Sequence, residues 1–352
     1  MHSTDQLEAV PQAVLELEPG SRADEWHQHT FGGGWVFRQA RVAETAWIGP
    51  HAVVCGRAQV LDSARVCGNA RVGGEACVRG NARVLDHAVV DGRAEVRDHA
   101  VVEGKARVGD NADVRDSACV RDHARIGGVA RIAGNARIAG NAVVTDRARV
   151  HDNAEVCGRA AVYGSAQVHG HARVGNRAWV GQDAEVFGHA VVGGVAVISD
   201  YAKVFGHARV AGQARVAVGA FVAGRARVAG FAEVSGDAWV GGSACVCDNA
   251  WVGGSAVVNE AGQVIGHAKV FGSAVICGNA VVAGTAEVLD SAKVCEDAIV
   301  CGSAEVCGRA RVFGHALVFG DAWVAGDARV GGSDRVCRRP LWAPPLSAKG
   351  GR

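Results

Sequence analysis

The amino-acid sequence predicts an all-β fold, a parallel β-helix whose three-sided coils each contain 18 residues. Two regularities of the chain predict it. Every sixth residue from Val42 to Val336 is Val or Ile, over 50 consecutive positions. Ala stands two residues before each of these positions from Ala40 to Ala328, and Gly262 is the one exception. A short period that holds over most of a chain is typical of repeat architectures.

Each six-residue unit begins with a short β-strand. In Ala82-Arg83-Val84, for example, Ala and Val are separated by one residue, and residues i and i+2 of a strand face the same side. Ala and Val or Ile are therefore predicted to face the interior, while the residue between them faces outward. Burial of each Val or Ile contributes roughly 1.5–3 kcal/mol. The conformational entropy lost on folding offsets most of that gain.

A bend follows each strand, two residues after the Val or Ile. Of the 49 such positions from Glu44 to Gly332, 31 are Gly, 11 are Asp and one is Asn176. These residue types tolerate the left-handed backbone conformation. Three bends per turn give a triangular coil, so each strand pairs with the strand 18 residues later, at a spacing of about 4.8 Å. The repeat therefore predicts a triangular prism of about 17 coils, about 80 Å long at that spacing.

Three segments are predicted. Residues 1–31 are out of phase with the repeat and form an N-terminal segment or cap, with Leu7, Val10, Val14, Leu15 and Leu17 in a short helix or strand. Residues 32–337 form the β-helix, and residues 338–352 form a C-terminal cap and flexible tail. No proline lies between positions 50 and 340, which agrees with continuous pairing because proline cannot donate to a ladder. Trp342 and the terminal prolines are expected to cover the open edge of the last coil.

Composition narrows the class of partner and the cellular location. The chain has 37 basic and 36 acidic residues, a net charge of +1, so no nucleic-acid or membrane partner is predicted. No apolar run approaches the length of a membrane span. The first residues lack the basic start and apolar stretch of a secretion signal. We therefore expect a cytoplasmic protein.

Cysteine placement argues against a disulfide framework. Nine of the 12 cysteines directly follow a Val or Ile of the repeat, where Cys behaves as a small, half-buried hydrophobe. No Cys-x-x-Cys motif occurs, so the sequence does not support a zinc ribbon. Cys277 and Cys295 are 18 residues apart and are predicted to stack at a distance that permits a bridge. A reducing cytoplasm nevertheless favours the free thiols.

The 18-residue coil also arranges histidines in columns. His171, His189 and His207 are predicted to occupy the same corner in three successive coils, about 4.8 Å apart. His151 and His169 make a second stacked pair. Clustered imidazoles can bind metal or titrate near neutrality. Asn, Ser, Arg and Asp fill the same corner elsewhere, so an ordinary polar corner is favoured and no metal site is predicted.

Outward-facing columns include apolar and basic sets. The predicted interaction surface consists of one column of Phe221, Trp239, Val257 and Val275, and another of Val281, Ile299 and Leu317. A third apolar column contains Val143, Ala161, Trp179 and Val197. Contiguous exposed apolar area can mark a partner or self-association surface, but Val and Trp are also ordinary outward strand residues. Arginine rows (Arg79, Arg97, Arg115; Arg131, Arg149) are predicted to form a solvated, salt-bridged surface.

The hexad Val–x–Gly–x–Ala–x resembles the hexapeptide repeat of the left-handed β-helix superfamily, which includes many bacterial acyltransferases. Gly32-Gly33-Gly34-Trp35-Val36 and Asp334-Arg335-Val336-Cys337-Arg338-Arg339-Pro340-Leu341 are similar to the two ends of its YdcK-like branch. That branch consists of bacterial and phage-associated proteins, mostly uncharacterised or provisionally named as acyltransferases. The resemblance covers roughly residues 32–341. It implies left-handed winding, the opposite hand from the general crossover rule.

The resemblance also implies two activities that the residues do not support in full. Acyl-CoA-dependent transfer in this superfamily uses a His base beside a cofactor groove between the subunits of a trimer, commonly with a protruding loop. No such loop interrupts the repeat, and only His171, His189 and His207 are candidates for the base. The zinc carbonic anhydrases of the superfamily use three His, two of them five residues apart, and no two His here have that spacing.

Two function classes remain after this comparison. The favoured hypothesis is a non-catalytic structural or binding rod without a cofactor, which could self-associate through an outer face. The sequence does not identify its protein or small-molecule partner. The alternative is an acyltransferase that uses acetyl-CoA.

Overall fold

The computed structural model describes residues 9–338. Before the two-residue strands begin, the chain forms helix α1 (Gln12–Leu15), a 3-10 turn (Ala23–Glu25) and the three-residue strands β1 (Trp26–Gln28) and β2 (Trp35–Phe37). Each of the next 50 strands, from β3 (Arg41–Val42) to β52 (Arg335–Val336), consists of one Val or Ile of the repeat and the residue before it. The predicted period is therefore confirmed. Leu7 and the predicted C-terminal cap with Pro340, Leu341 and Trp342 lie outside the described residues.

The chain comprises two compact units, Met1–Gly188 and His189–Arg352. Within each unit, strands pair in parallel at an offset of 18 residues and build three ladders. Val96 pairs with Val114 in the first unit and Val240 with Val258 in the second. These pairings confirm the predicted fold class, a three-sided parallel β-helix with 18 residues per coil. No helix among residues 9–338 has the length and hydropathy to cross a membrane.

The interior is formed by the Ala and the Val or Ile of each hexad. Ala82 and Val84, for example, are both fully buried. At the one Ala position that holds Gly262, a Cβ would lie 3.1 Å from Asn259 O and 3.2 Å from Ile276 Cγ2.

The bends adopt the predicted left-handed conformation, with φ of 62° at Asp122 and 66° at Gly134. The acidic bends make a contact that the sequence pattern did not predict. Asp122 Oδ2 accepts a hydrogen bond from the Gly140 backbone N–H, 18 residues later, at 2.8 Å. The same bond is made from Asp62, Asp86, Asp98, Asp110, Asp116, Asp146, Asp152, Asp200, Asp248, Glu260, Asp290 and Glu296. An acidic bend therefore both tolerates the backbone conformation and ties one coil to the next.

The N-terminal segment packs against the first coil. Strand β1 pairs with β2 in antiparallel orientation, and Val14 of α1 lies in a buried cluster with Trp26 and Phe37. Trp26 Nε1 donates to Ser21 Oγ at 3.1 Å. The cluster covers Val53 and Cys55, whereas the residues equivalent to Val53 in later coils are half-buried or exposed. Burial raises the pKa of the Cys55 thiol to about 11.

Cys277 and Cys295 form a disulfide, with their Cα atoms 4.6 Å apart. The predicted stacking of this pair is confirmed, whereas the preference for free thiols in this pair was wrong. Vertical stacking at the coil spacing brings two Cα atoms to a separation that a disulfide can span. The other ten cysteines are free.

Candidate functional site

The first unit carries a cluster of imidazole and carboxylate groups at one corner. His151 directly follows strand Arg149–Val150, and His169 follows strand Gln167–Val168. Val150 pairs with Val168, so the two imidazoles occupy the same corner of neighbouring coils. Their ring centroids are 4.8 Å apart and their planes differ by 9°. The predicted stacking of His151 on His169 is confirmed.

His169 is held from two further sides. The ring of Phe187 stacks on it at 5.1 Å with an interplanar angle of 2°. His169 Nε2 lies 2.9 Å from Glu185 Oε1. An ionised carboxylate can only accept, so Nε2 carries the hydrogen and Nδ1 of the neutral ring bears a lone pair. The contacts with Glu185 and Phe187 therefore fix both the orientation and the tautomer of His169.

Asp152 brings a negative charge to the two histidines. It is a bend residue with φ of 60°, and its Oδ2 accepts from the Gly170 backbone N–H at 3.0 Å. Asp152 Oδ1 lies 3.2 Å from His151 Nδ1, and Oδ2 lies 3.8 Å from His169 Nδ1. The hydrogen bond with His151, followed by that with Gly170, lowers the pKa of Asp152. The carboxylate is therefore ionised at neutral pH.

A basic cleft of about 370 Å³ adjoins this corner. It is lined by Arg115, Asp116, Arg131, Ala133, Gly134, Arg149, His151 and Asp152. Arg131 and Arg149 are cross-strand partners, and neither makes an ion pair with any residue in the described range 9–338. The predicted salt-bridged surface is confirmed for Arg79, which pairs with Glu95, and for Arg97, which pairs with Asp113, but it was wrong for Arg131 and Arg149. The guanidinium groups of Arg131 and Arg149 are thus available to an anion, whereas Arg115 pairs with Asp113.

The histidines considered as catalytic bases lie on the surface. His189 and His207 stack in the second unit at 4.8 Å with an interplanar angle of 4°, which confirms the prediction for this pair. His171 belongs to the first unit. All three residues are exposed. Whether any of them acts as a base stays a prediction.

The apolar columns of the second unit have the predicted register. Phe221 pairs with Trp239, Trp239 with Val257, and Val257 with Val275. The rings of Phe221 and Trp239 are 5.6 Å apart. On another ladder Val281 pairs with Ile299, and Ile299 with Leu317. We call the column of Phe221, Trp239, Val257 and Val275 the aromatic column.

The third apolar column runs through Val143, Ala161 and Trp179, which pair in register in the first unit. Its fourth predicted member, Val197, belongs to the second unit.

Two features of this surface were missed in the sequence. Cys245 and Cys247 face outward together on either side of a buried Val, with their Sγ atoms 2.7 Å apart. Burial, followed by the Cys245 hydrogen bond, raises the pKa of Cys247 to about 12. The i, i+2 spacing in a strand was the available signal. The place of Asp152 between two histidines was also missed, although it directly follows His151.

Comparison with known proteins adds little to this geometry. No protein-family model matches the chain, and no curated protein matches it. One matched structure is that of a protein from Desulfovibrio desulfuricans G20 that is provisionally named an acetyltransferase. The sequences are 11% identical, the match covers 76% of this chain and 69% of that one, and the TM-score is 0.18. This similarity assigns neither a family nor an activity, and the chain is defined by its own geometry as a β-helical repeat protein.

Proposed function

We propose that the protein is a non-catalytic β-helical scaffold that binds through the flat outer faces of its coils. The observation that carries this proposal is the unbroken repeat, since each strand from Arg41–Val42 to Arg335–Val336 begins six residues after the previous one. Catalytic groups usually sit on loops that a rigid scaffold positions, and no loop is inserted anywhere in this interval. Strand and corner side chains are the surface that remains for function.

The proposed partner at the aromatic column is a second copy of the chain. Trp239 is 37% exposed even though Phe221 and Phe205 both contact its ring. Aromatic side chains are enriched at interfaces, and exposed apolar columns mark association surfaces. A two-fold dimer uses the same patch on both subunits. The aromatic column has one apolar side chain in each successive coil, so it can pack against the same column of a second copy of the chain.

Replacement of Trp239 by Thr tests this association. Thr keeps the strand propensity of the position but removes the ring. The matched control is Trp179→Thr in the first unit, because Trp179 also begins a two-residue strand and is 52% exposed. Light scattering over a concentration series should show a dimer for the wild type and for Trp179→Thr, and a monomer for Trp239→Thr. A monomeric wild type, or equal masses for both variants, would contradict the proposed self-association.

The second candidate function is acyl-CoA-dependent acyl transfer. The observation in its favour is the basic cleft, because guanidinium groups match phosphate oxygens of a cofactor such as acetyl-CoA. His151 at the rim could serve as the base for an acceptor hydroxyl or amine. Stabilisation of the fold by acetyl-CoA, lost on replacement of Arg131 and Arg149, would favour this candidate over the scaffold.

A cytoplasmic location is part of the proposal. Ten cysteines of the described residues are free thiols, which suits a reducing compartment. The Cys277–Cys295 bridge is the one feature that points the other way. Fractionation of the native cells, followed by detection of the protein in the soluble cytoplasmic fraction, tests this assignment. Its recovery from an extracytoplasmic fraction would contradict it.

A further inference from the structure

We propose that His151, Asp152 and His169 form a binding site for a divalent metal ion of the zinc type. This inference is independent of the scaffold proposal, since it concerns a different corner of the molecule and requires no partner protein. Imidazole nitrogens and one carboxylate are donors that Zn²⁺ accepts in protein sites. Among residues 9–338 this is the one group of three or more such side chains whose ligand atoms lie close together, all within 4.8 Å of one another.

The distances are those of an open site that closes around an ion. Zinc bonds to nitrogen and oxygen are about 2.0–2.2 Å long, so ligand atoms up to 4.8 Å apart must approach each other slightly. His151 and Asp152 can make this movement because their side chains are 35% and 53% exposed. His151 Nδ1 donates its hydrogen to Asp152, so His151 must change tautomer, or flip its ring to present Nε2, when it binds the ion. Asp152 already faces both Nδ1 atoms.

The groups around the cluster hold the donors in the state that metal binding requires. Metal-binding His residues almost always donate their second N–H to a carboxylate, carbonyl or water. Glu185 accepts from His169 Nε2 at 2.9 Å, which leaves Nδ1 as the donor atom toward the ion. Phe187 covers the far face of the same ring. The Gly170 backbone N–H, at 3.0 Å, holds one oxygen of Asp152 in place.

Three protein ligands leave a fourth position open on a tetrahedral ion. His151 and Asp152 also line the basic cleft, so this position faces the unpaired guanidinium groups of Arg131 and Arg149. The fourth ligand is therefore inferred to be a small oxyanion, such as a carboxylate or phosphate group. Guanidinium recognises both by paired N–H···O hydrogen bonds.

The test is titration of the tag-free, full-length protein with Zn²⁺ and Co²⁺. Calorimetry gives the number of ions bound and their affinity. The visible Co²⁺ spectrum reports the ligand type, because bound thiolates add a charge-transfer band that imidazole and carboxylate lack. This distinction is needed since ten cysteines are free. The variants are His169→Gln, Asp152→Asn and Glu185→Gln. Asn at position 152 keeps an oxygen that can accept from Gly170.

The matched control is the double variant His189→Gln/His207→Gln. It removes a histidine pair with the same 4.8 Å stacking but outside the cluster. Wild type and control should each bind one Co²⁺ per chain with no thiolate band. His169→Gln and Asp152→Asn should abolish this event, and Glu185→Gln should weaken it by about 10–100-fold, the usual effect of an outer carboxylate. Phosphate should perturb the Co²⁺ spectrum of the wild type.

Two results would overturn the proposal. One is Co²⁺ binding with a thiolate band that all three site variants retain. The other is the absence of any binding to folded wild-type protein. Circular dichroism of each variant separates loss of the site from loss of the fold. A bound ion that phosphate leaves unchanged would overturn only the oxyanion as the fourth ligand.

Discussion

The glycine bends allow a quantitative test of how neighbouring coils are held together. Gly212 has φ of 73°, and a Cβ added there would lie 2.8 Å from Gly230 N and 2.7 Å from Gly230 O, both backbone atoms of the next coil. Gly212→Ala therefore combines two costs. The left-handed conformation costs an L-residue about 1–2 kcal/mol. Displacement of the next coil also weakens the 2.7 Å hydrogen bond from Gln213 N to Gly230 O, by about 1 kcal/mol.

Gly212→Asp should be less harmful than Gly212→Ala, although it adds the same Cβ. Asp tolerates the left-handed conformation better, and its carboxylate can accept from Gly230 N as Asp122 accepts from Gly140 N. That bond is expected to return about 1 kcal/mol at this exposed position. We therefore expect a loss of about 2–3 kcal/mol for Gly212→Ala and about 1 kcal/mol for Gly212→Asp. The flanking bends at 194 and 230 are Gly, so no acidic bend repels the new charge.

Gly326→Ala is the matched control, because its φ is 66° and a Cβ there meets nothing within 4 Å. It should cost only the conformational term of about 1–2 kcal/mol. Urea unfolding ranks the three variants. Since repeat arrays need not unfold in one step, amide hydrogen exchange at Gly230 supplies the local measurement. Protection at Gly230 should rise in Gly212→Asp, whereas protection at Gln213, which donates to Gly230 O, should fall in Gly212→Ala. Equal destabilisation by Ala and Asp, with no change at Gly230, would refute the role assigned to the acidic bends.

Three further predictions follow from single contacts. The pKa of Asp152 is lower in the folded protein than the ordinary aspartate value of 3.8. The ionised carboxylate therefore stabilises the fold above pH 3.8, and this stabilisation is lost as pH falls through the folded-state pKa. Asp152→Asn should flatten the dependence of unfolding temperature on pH below 3.8, and an unchanged profile would contradict this. Gly262→Ala should cost about 1 kcal/mol, because the new Cβ would lie 3.1 Å from Asn259 O and 3.2 Å from Ile276 Cγ2. Ile276→Val keeps that methyl group, so the two substitutions should be additive in a double-mutant cycle, and rescue by Val would contradict this contact. Thiol titration of the denatured, unreduced protein should detect ten thiols, rising to all 12 after reduction; twelve before reduction would mean that Cys277 and Cys295 are not bridged.

The repeat made most of the fold predictable. A fixed period defines strand bounds, coil length and columns together, because any shift by one residue would turn Val84 and its equivalents outward. The register of Trp239 and the stacking of His151 on His169 followed without further information. The repeat did not predict features that depend on side-chain direction at the corners, such as the hydrogen bond that Asp122 accepts from the Gly140 N–H of the next coil. The hairpin of β1 and β2 was also not predicted, because residues 1–31 lie outside the period.

The candidate metal site shows the same limit. The sequence predicted that two of its donors, His151 and His169, lie together. Polar corners are common along the chain, so this pair alone did not indicate a metal site. Asp152 and Glu185 completed the cluster from a bend and from a neighbouring strand. Whether their carboxylates lie close to the imidazoles depends on side-chain rotamers, which the 18-residue period does not determine. The 18-residue period predicted that Cys277 and Cys295 lie close enough to form a disulfide. The expected reducing cytoplasm, however, favoured free thiols for this pair.

Thermal unfolding with and without acetyl-CoA, paired with light scattering, tests the central claim most directly. A scaffold that acts through its outer faces should show no change in unfolding temperature at millimolar acetyl-CoA, in the wild type or in Arg131→Gln/Arg149→Gln. Its mass should be that of a dimer, sensitive only to Trp239. A clear rise in unfolding temperature in a trimeric wild type, lost in the double arginine variant, would contradict the scaffold and establish a cofactor-binding protein.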